Sequence, residues 1–186
     1  MSADRFAIAS RDLCVETGSS LVEVLIAALI MTTGVVAMVR LISIAVESNV
    51  HARSRTIATV LAVQKIEQLR ALAWTIDPSG VAIEDTTTDT SSVPESSGGT
   101  GLQSSPGDSL TRNTPGFVDH LDAGGAIVGR GTQAPPEAVY TRRWSIANAA
   151  VDGLLVLQVY VLRKHTSDER SGRDIRVVTV KGRKTQ

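Results

Sequence analysis

Three stretches of the sequence carry residue types that could do chemistry. Gly107-Asp108-Ser109-Leu110 spells a serine-nucleophile motif. A working serine of that kind needs a strand to position it, donors for an oxyanion, and a histidine base held by a carboxylate. Loop composition flanks Ser109 on both sides, and none of His51, His120 or His165 stands at the Asp-x-x-His spacing such a site uses. Gly124 to Arg130 has the glycine spacing of a phosphate loop, but Arg130 replaces the lysine and no Ser or Thr follows it. It reads better as a short hairpin with a glycine turn. Asp119, His120 and Asp122 are two acids and one histidine, short of the oxygen set a calcium ion takes. The expectation is therefore no catalytic residue, no metal, no cofactor and no enzymatic activity.

The remaining reactive group is a carboxylate in an unusual place. From Ser19 to Val39 the chain reads SSLVEVLIAALIMTTGVVAMV, apolar apart from Ser, Thr, Gly and the single acid Glu23, and it stops at Arg40. At about 1.5 Å per residue this run covers roughly 30 Å, the thickness of a bilayer hydrocarbon core. Arg40 can snorkel toward the headgroups. A carboxylate in such a helix costs on the order of 2.5 to 3.5 kcal/mol at the bilayer centre and less near an end, so it usually persists because it has a partner. Ser20-Leu21-Val22-Glu23 also fits a helix capping box, and an acid in a first turn is favoured by the helix dipole. The two roles are compatible.

The order of segments sharpens this reading. An ordinary secretory signal places its cleavage site after the apolar stretch. Here eighteen mostly polar residues come first, and the candidate cut after Gly18 precedes the apolar run. Gly18, Ser19, Ser20, Leu21, Val22 and Glu23, followed by VLIAALI, resemble the prepilin-type cleavage and methylation motif of type IV pilins and secretion pseudopilins. The resemblance implies that a membrane prepilin peptidase removes residues 1–18 and methylates the new N-terminus at Ser19. It also implies that Glu23, the fifth residue of the mature chain, meets the N-terminal amine of a neighbouring subunit, while Leu21, Val22, Val24, Leu25 and Ile26 enter a filament core. Implied partners are other pilins or pseudopilins, the assembly platform and the membrane. The implied location is a single pass through the bacterial inner membrane, with the C-terminal domain periplasmic and the subunit assembled into a pilus or pseudopilus.

Composition limits the alternatives. The chain has 186 residues, enough for one ordinary domain, and a formal net charge of zero. No overall field attracts nucleic acid, and an aromatic content of 3% argues against a stacking platform for single strands. No nucleic-acid partner is expected. Cys14 is the only cysteine, which excludes an internal disulfide. A C-terminal disulfide loop of the kind many major pilins have is thus absent, which favours a minor pilin or pseudopilin. The alternative from another class is a single-pass, membrane-anchored binding protein that is not processed as a pilin.

The elements that must carry this machinery follow in order. Residues 19–46 form the membrane or filament-core helix, and 47–76 an amphipathic continuation with Ala58, Ala62, Ile66, Leu69 and Ala73 on one face. Arg53, Arg55, Lys65, Glu67 and Arg70 are read on the other. The helix is expected to end near Trp74 to Asp77, ahead of Pro78. Residues 77–138 form a variable segment with a short hairpin at 117–128. Its part from 77 to 111 has no Lys or Arg, is rich in Ser, Thr, Gly and acids, and is expected to bury little and to be mobile. Residues 139–186 read as three antiparallel strands. Leu155, Leu157, Val159 and Val161 share the face that covers the helix, and Trp144 is expected in the core beside Tyr140, Arg142 and Ile146. Between Arg163 and Lys184, eight Lys and Arg face three acids, read as protection of an edge strand. The fold class is α+β, a long N-terminal helix packed on a small antiparallel sheet.

Overall fold

The computed structural model describes residues 20–92, 94–164 and 174–185. The chain divides into two compact units, Met1–Glu47 and Ser48–Gln186. One helix, α1 (Leu21–Ala71), contributes to both. No proline occurs before Pro78, so the backbone ladder of α1 is unbroken, and Gly34 is its only glycine.

In the first unit α1 presents apolar residues around its whole circumference, and all of them are exposed. Its hydroxyls satisfy themselves. Thr32 donates to the Leu29 carbonyl at 2.9 Å, Thr33 to the same carbonyl at 3.0 Å, and Ser43 to that of Val39 at 3.0 Å. Such back-bonding removes free donors that hydrocarbon could not solvate.

In the second unit α1 buries Ser54, Ala58, Leu61, Ala62, Lys65, Ile66 and Leu69, a stripe with the three-and-four spacing of one helical face. The stripe lies on a five-stranded antiparallel sheet in the order β6-β5-β7-β8-β9. These strands are β5 (Val118–Leu121), β6 (Ile127–Gly129), β7 (Tyr140–Asn148), β8 (Leu154–Arg163) and β9 (Ile175–Gly182). The long central pairing sets Trp144 opposite Val159 and Ile146 opposite Leu157. On β7 the inward parity is Tyr140, Arg142, Trp144 and Ile146; on β8 it is Leu155, Leu157, Val159 and Val161, and all eight are buried. Fully burying a large apolar side chain is worth about 1.5–3 kcal/mol each, so this face holds the helix by ordinary hydrophobic burial.

Four short strands lie in the middle segment: β1 (Trp74–Ile76), β2 (Ala82–Glu84), β3 (Thr88–Asp89) and β4 (Ser96–Ser97). The last strand, β10 (Lys184–Thr185), pairs in parallel with β1, which also pairs with β2. Two expectations change here. The helix stops at Ala71, before the expected Trp74 to Asp77, because Trp74, Thr75 and Ile76 are taken up as a strand between β2 and β10. Ala73 thereby leaves the helical face and is exposed. Lys181 reaches across to the helix end and donates to the Arg70 and Leu72 carbonyls, covering backbone acceptors that a helix terminus leaves open.

The acidic middle segment is also more built than its composition suggests. Asp77 Oδ1 accepts from the Ser79 and Val81 amides at 2.9 and 2.7 Å, and Asp85 Oδ1 from Thr87 and Thr88 at 3.1 and 3.0 Å. Asp89 Oδ1 accepts from Ser91 at 2.8 Å. These side chains close local turns, a use of Asp that composition counts as disorder-promoting. The segment then docks Leu102, Thr90, Ser91 and Ser109 into the interior, all buried.

Candidate functional site

Two places in the molecule ask for a chemical explanation: the exposed first half of α1 and a charge cluster inside the sheet unit.

On the first, Leu21, Val22, Val24, Leu25 and Ile26 surround Glu23, with exposures from 54% at Ile26 to 76% at Leu21. Ser20 directly precedes the helix, and its carbonyl accepts from the Glu23 and Val24 amides at 2.8 and 3.2 Å. Glu23 therefore sits in the first turn, where the helix dipole favours a negative charge. Among the described residues it makes no ion pair. Gly18 and Ser19, the expected cleavage and methylation positions, lie outside the described residues, as does Cys14. α1 is long and apolar enough to cross a membrane, and none of its most apolar stretch is buried.

The second place joins the helix to the sheet. Lys65 from α1, Asp119 from β5 and Arg142 from β7 meet with side chains at most 2% exposed. Asp119 Oδ2 lies 3.1 Å from Lys65 Nζ and 2.7 Å from an Arg142 nitrogen. Lys65 also donates to the Thr90 carbonyl and hydroxyl, both at 3.0 Å, and its ammonium stands 3.9 Å from the Trp144 ring centroid. Arg142 donates to the Leu61 carbonyl of the helix at 3.1 Å. Burial lowers the Lys65 pKa to about 8 despite the pull of Asp119, and Arg142 adds to the lowering. For Asp119 burial is the strongest influence and opposes ionisation. The charges of Lys65 and Arg142, with hydrogen bonds from Ser91 and Arg142, outweigh it and hold the carboxyl below its ordinary range.

This corrects the placement of Lys65, read above as part of the polar face. It falls between Leu61 and Leu69 at helical spacing, on the buried stripe, and is admitted there because its charge is met by Asp119 and the Thr90 oxygens. The parity of Arg142 with Tyr140, Trp144 and Ile146 carried the same signal on the strand side.

The other chemistry-bearing residues are each engaged elsewhere. Ser109 is fully buried and donates to the Ser105 hydroxyl at 3.2 Å, so its hydrogen bond goes to another serine instead of a histidine. His120 is buried between Thr141 and the Gly131 carbonyl, at 3.2 and 2.9 Å. Asp122 closes the turn between β5 and β6 by accepting from the Gly124 and Ala126 amides. Gly125 in that turn has φ of 88°, and a Cβ there would meet the Leu61 side chain at 2.9 Å. The glycine spacing thus serves a tight hairpin against the helix. No group of three or more potential metal ligands occurs among the described residues.

What the fold and site define is an α+β protein with one N-terminal helix capable of crossing a membrane, carried into a helix-on-sheet unit. No family model matches the chain, and neither a curated protein nor a solved structure matches it.

Proposed function

We infer that the chain is a structural subunit of a type IV pilus or a type II secretion-like filament, of the minor pilin or pseudopilin kind. In this reading a prepilin peptidase cuts after Gly18 and methylates Ser19. The exposed half of α1 lies in the inner membrane before assembly and in the filament core afterwards, and Glu23 pairs with the terminal amine of a neighbouring copy or pilin. The sheet unit faces the periplasm and forms the outer surface. Partners are the peptidase, the assembly platform and other pilins; the work is assembly, and no substrate is turned over.

The observation that carries the reading is the conjunction at the helix start. An acid without an ion-pair partner among the described residues stands in the first turn of a helix whose side chains are apolar all round and whose hydroxyls are already satisfied. Such a group costs free energy in hydrocarbon unless a cation meets it, and opposite charges in a packed apolar core favour one register over its neighbours. The Gly18-Ser19 junction supplies a cation at the right distance along the chain once it is cut.

N-terminal mass analysis of the full chain, expressed with and without a prepilin peptidase, tests this. The expected product begins at a methylated Ser19 only when the peptidase is present. Retention of residues 1–18 in a peptidase-competent host would instead leave a single-pass anchored binding protein.

A further inference from the structure

Two strands of the sheet unit leave one edge open. β9 ends the five-stranded sheet and pairs only with β8, and β2 ends the smaller sheet and pairs only with β1. Among the described residues no strand or backbone hydrogen bond reaches the other side of either. A bare edge is a template for another strand, and folded proteins usually blunt it with charged side chains, proline or a covering segment. The two charged side chains of β9 are engaged elsewhere. Arg176 donates to the Gln158 side chain, on the β8 side, and Lys181 to the Arg70 and Leu72 carbonyls at the helix end. Between them Val178 and Val180 are 54% and 55% exposed. β2 repeats the pattern, with Val81 just before it 59% exposed and Ile83 within it 44%.

The surroundings of the two edges differ in sign. β2 and its flanking turns hold Asp77, Glu84 and Asp85 against one cation, Arg183, which pairs with Glu84. Beside β9, between Val180 and the end of α1, lies a notch of about 410 Å³ lined by Arg70, Lys181 and Lys184 against Glu67. With Arg176 and Asp174 at the other end of the strand, this edge carries four cations and two acids. Burial lowers the Lys181 pKa, and the charges of Lys184 and Arg70 lower it further, as cations gathered without enough counter-charge do.

We propose that copies of this chain join edge to edge, β2 of one against β9 of the next. Opposite charges across a strand pair stabilise it and like charges oppose it. β9 against β9, or β2 against β2, gathers one sign; β2 against β9 joins acids to cations around two pairs of exposed apolar side chains. Because the contact uses a different patch on each copy, a joined pair keeps one free edge of each kind and the assembly stays open to further copies. So short a pairing is weak unless the copies are also held together, as the apolar half of α1 holds them in a bilayer or a bundle. The contact stands on the sheet unit alone and requires no cut at Gly18.

Cross-linking of the full chain in detergent micelles, in a Cys14→Ser background, tests this. Two differently tagged populations are oxidised singly and mixed, one with Ile83→Cys and the other with Val178→Cys or Val180→Cys, the two β9 positions covering alternative registers. The expected product is a mixed-tag disulfide in at least one combination, several-fold above that of Ile83→Cys with Val151→Cys, an exposed site on neither edge. Lys184→Glu in the β9 partner should lower that yield by about two- to fivefold, the range of one exposed ion pair, and leave the unfolding transition in place. No peptidase is present, so a missing cross-link counts against this contact and leaves the reading at Gly18 untouched. The proposal is overturned if neither mixture exceeds the Val151 control, if one population alone cross-links as well as the mixture, or if Lys184→Glu leaves the yield unchanged.

Discussion

Leu25 and Leu69 are the same residue type in the same helix, yet Leu25 is 60% exposed and Leu69 fully buried. Local propensity does not distinguish them. What differs is the arrangement around each: near Leu25 apolar side chains continue on every face, while near Leu69 they form one stripe with charged residues opposite. A stripe can be covered by a single sheet, and in the Ser48–Gln186 unit it is. A helix apolar all round cannot be covered that way and needs surroundings on every side, as hydrocarbon or a bundle of like helices provides.

The comparison breaks most visibly at Asp119. Asp119→Ala leaves Lys65 and Arg142 buried without a counter-ion, and removing one partner from such a cluster costs about 3–5 kcal/mol. Chemical denaturation followed by tryptophan fluorescence should show that loss, since Trp144 lies against Lys65. Next comes a matched pair of truncations. Leu69→Ala should destabilise the sheet unit by about 2–5 kcal/mol through the cavity it opens. Leu29→Ala, at a position 64% exposed, should leave the same unfolding transition within about 0.5 kcal/mol of its original value.

Two smaller effects refine the contrast. The Lys65 pKa is held down to about 8, against an ordinary value of 10.5. Between those values the unfolded chain binds a proton that the folded one has released, so stability should rise as pH is raised through that window. Comparing denaturant midpoints at both ends of it should show the rise in the wild type and its loss in Lys65→Met. Asp119 works at the other end of the scale: its depressed pKa contributes stability above the ordinary carboxyl range, lost as pH falls through the folded value. Least of all, Arg70→Ala removes an exposed pair with Glu67 spaced three residues apart, 2.9 Å in the structure, and should cost no more than about 0.5 kcal/mol in the same denaturation assay.

How much of this was legible in the sequence depended on the range of the interaction. The period-two run of β8 and the inward side of Trp144 are local patterns, and the structure has them as read. The burial of Lys65 needed partners from two distant strands. A lysine on an apolar stripe was visible as a pattern, but only Asp119 and Arg142 make it tolerable. Trp74 to Ile76 looked like the last helical turn because its pairing partners, β2 and β10, lie after it and at the far end of the chain. The acidic segment is more ordered into turns than its composition implies, because composition treats Asp as a solvated charge. At Asp77, Asp85 and Asp89 its carboxylate instead replaces backbone partners in a turn.

The claim beneath the whole account is that the two halves of α1 are covered by different things. Nitroxide labels placed singly at Leu29 and at Leu61, in the full chain reconstituted into bilayers, test it through collision with oxygen dissolved in lipid and with a water-soluble nickel chelate. The account predicts strong oxygen relaxation and little nickel relaxation at Leu29, and little of either at Leu61. Strong nickel relaxation at Leu29 would show that water, and not hydrocarbon, surrounds the exposed half, and would contradict it.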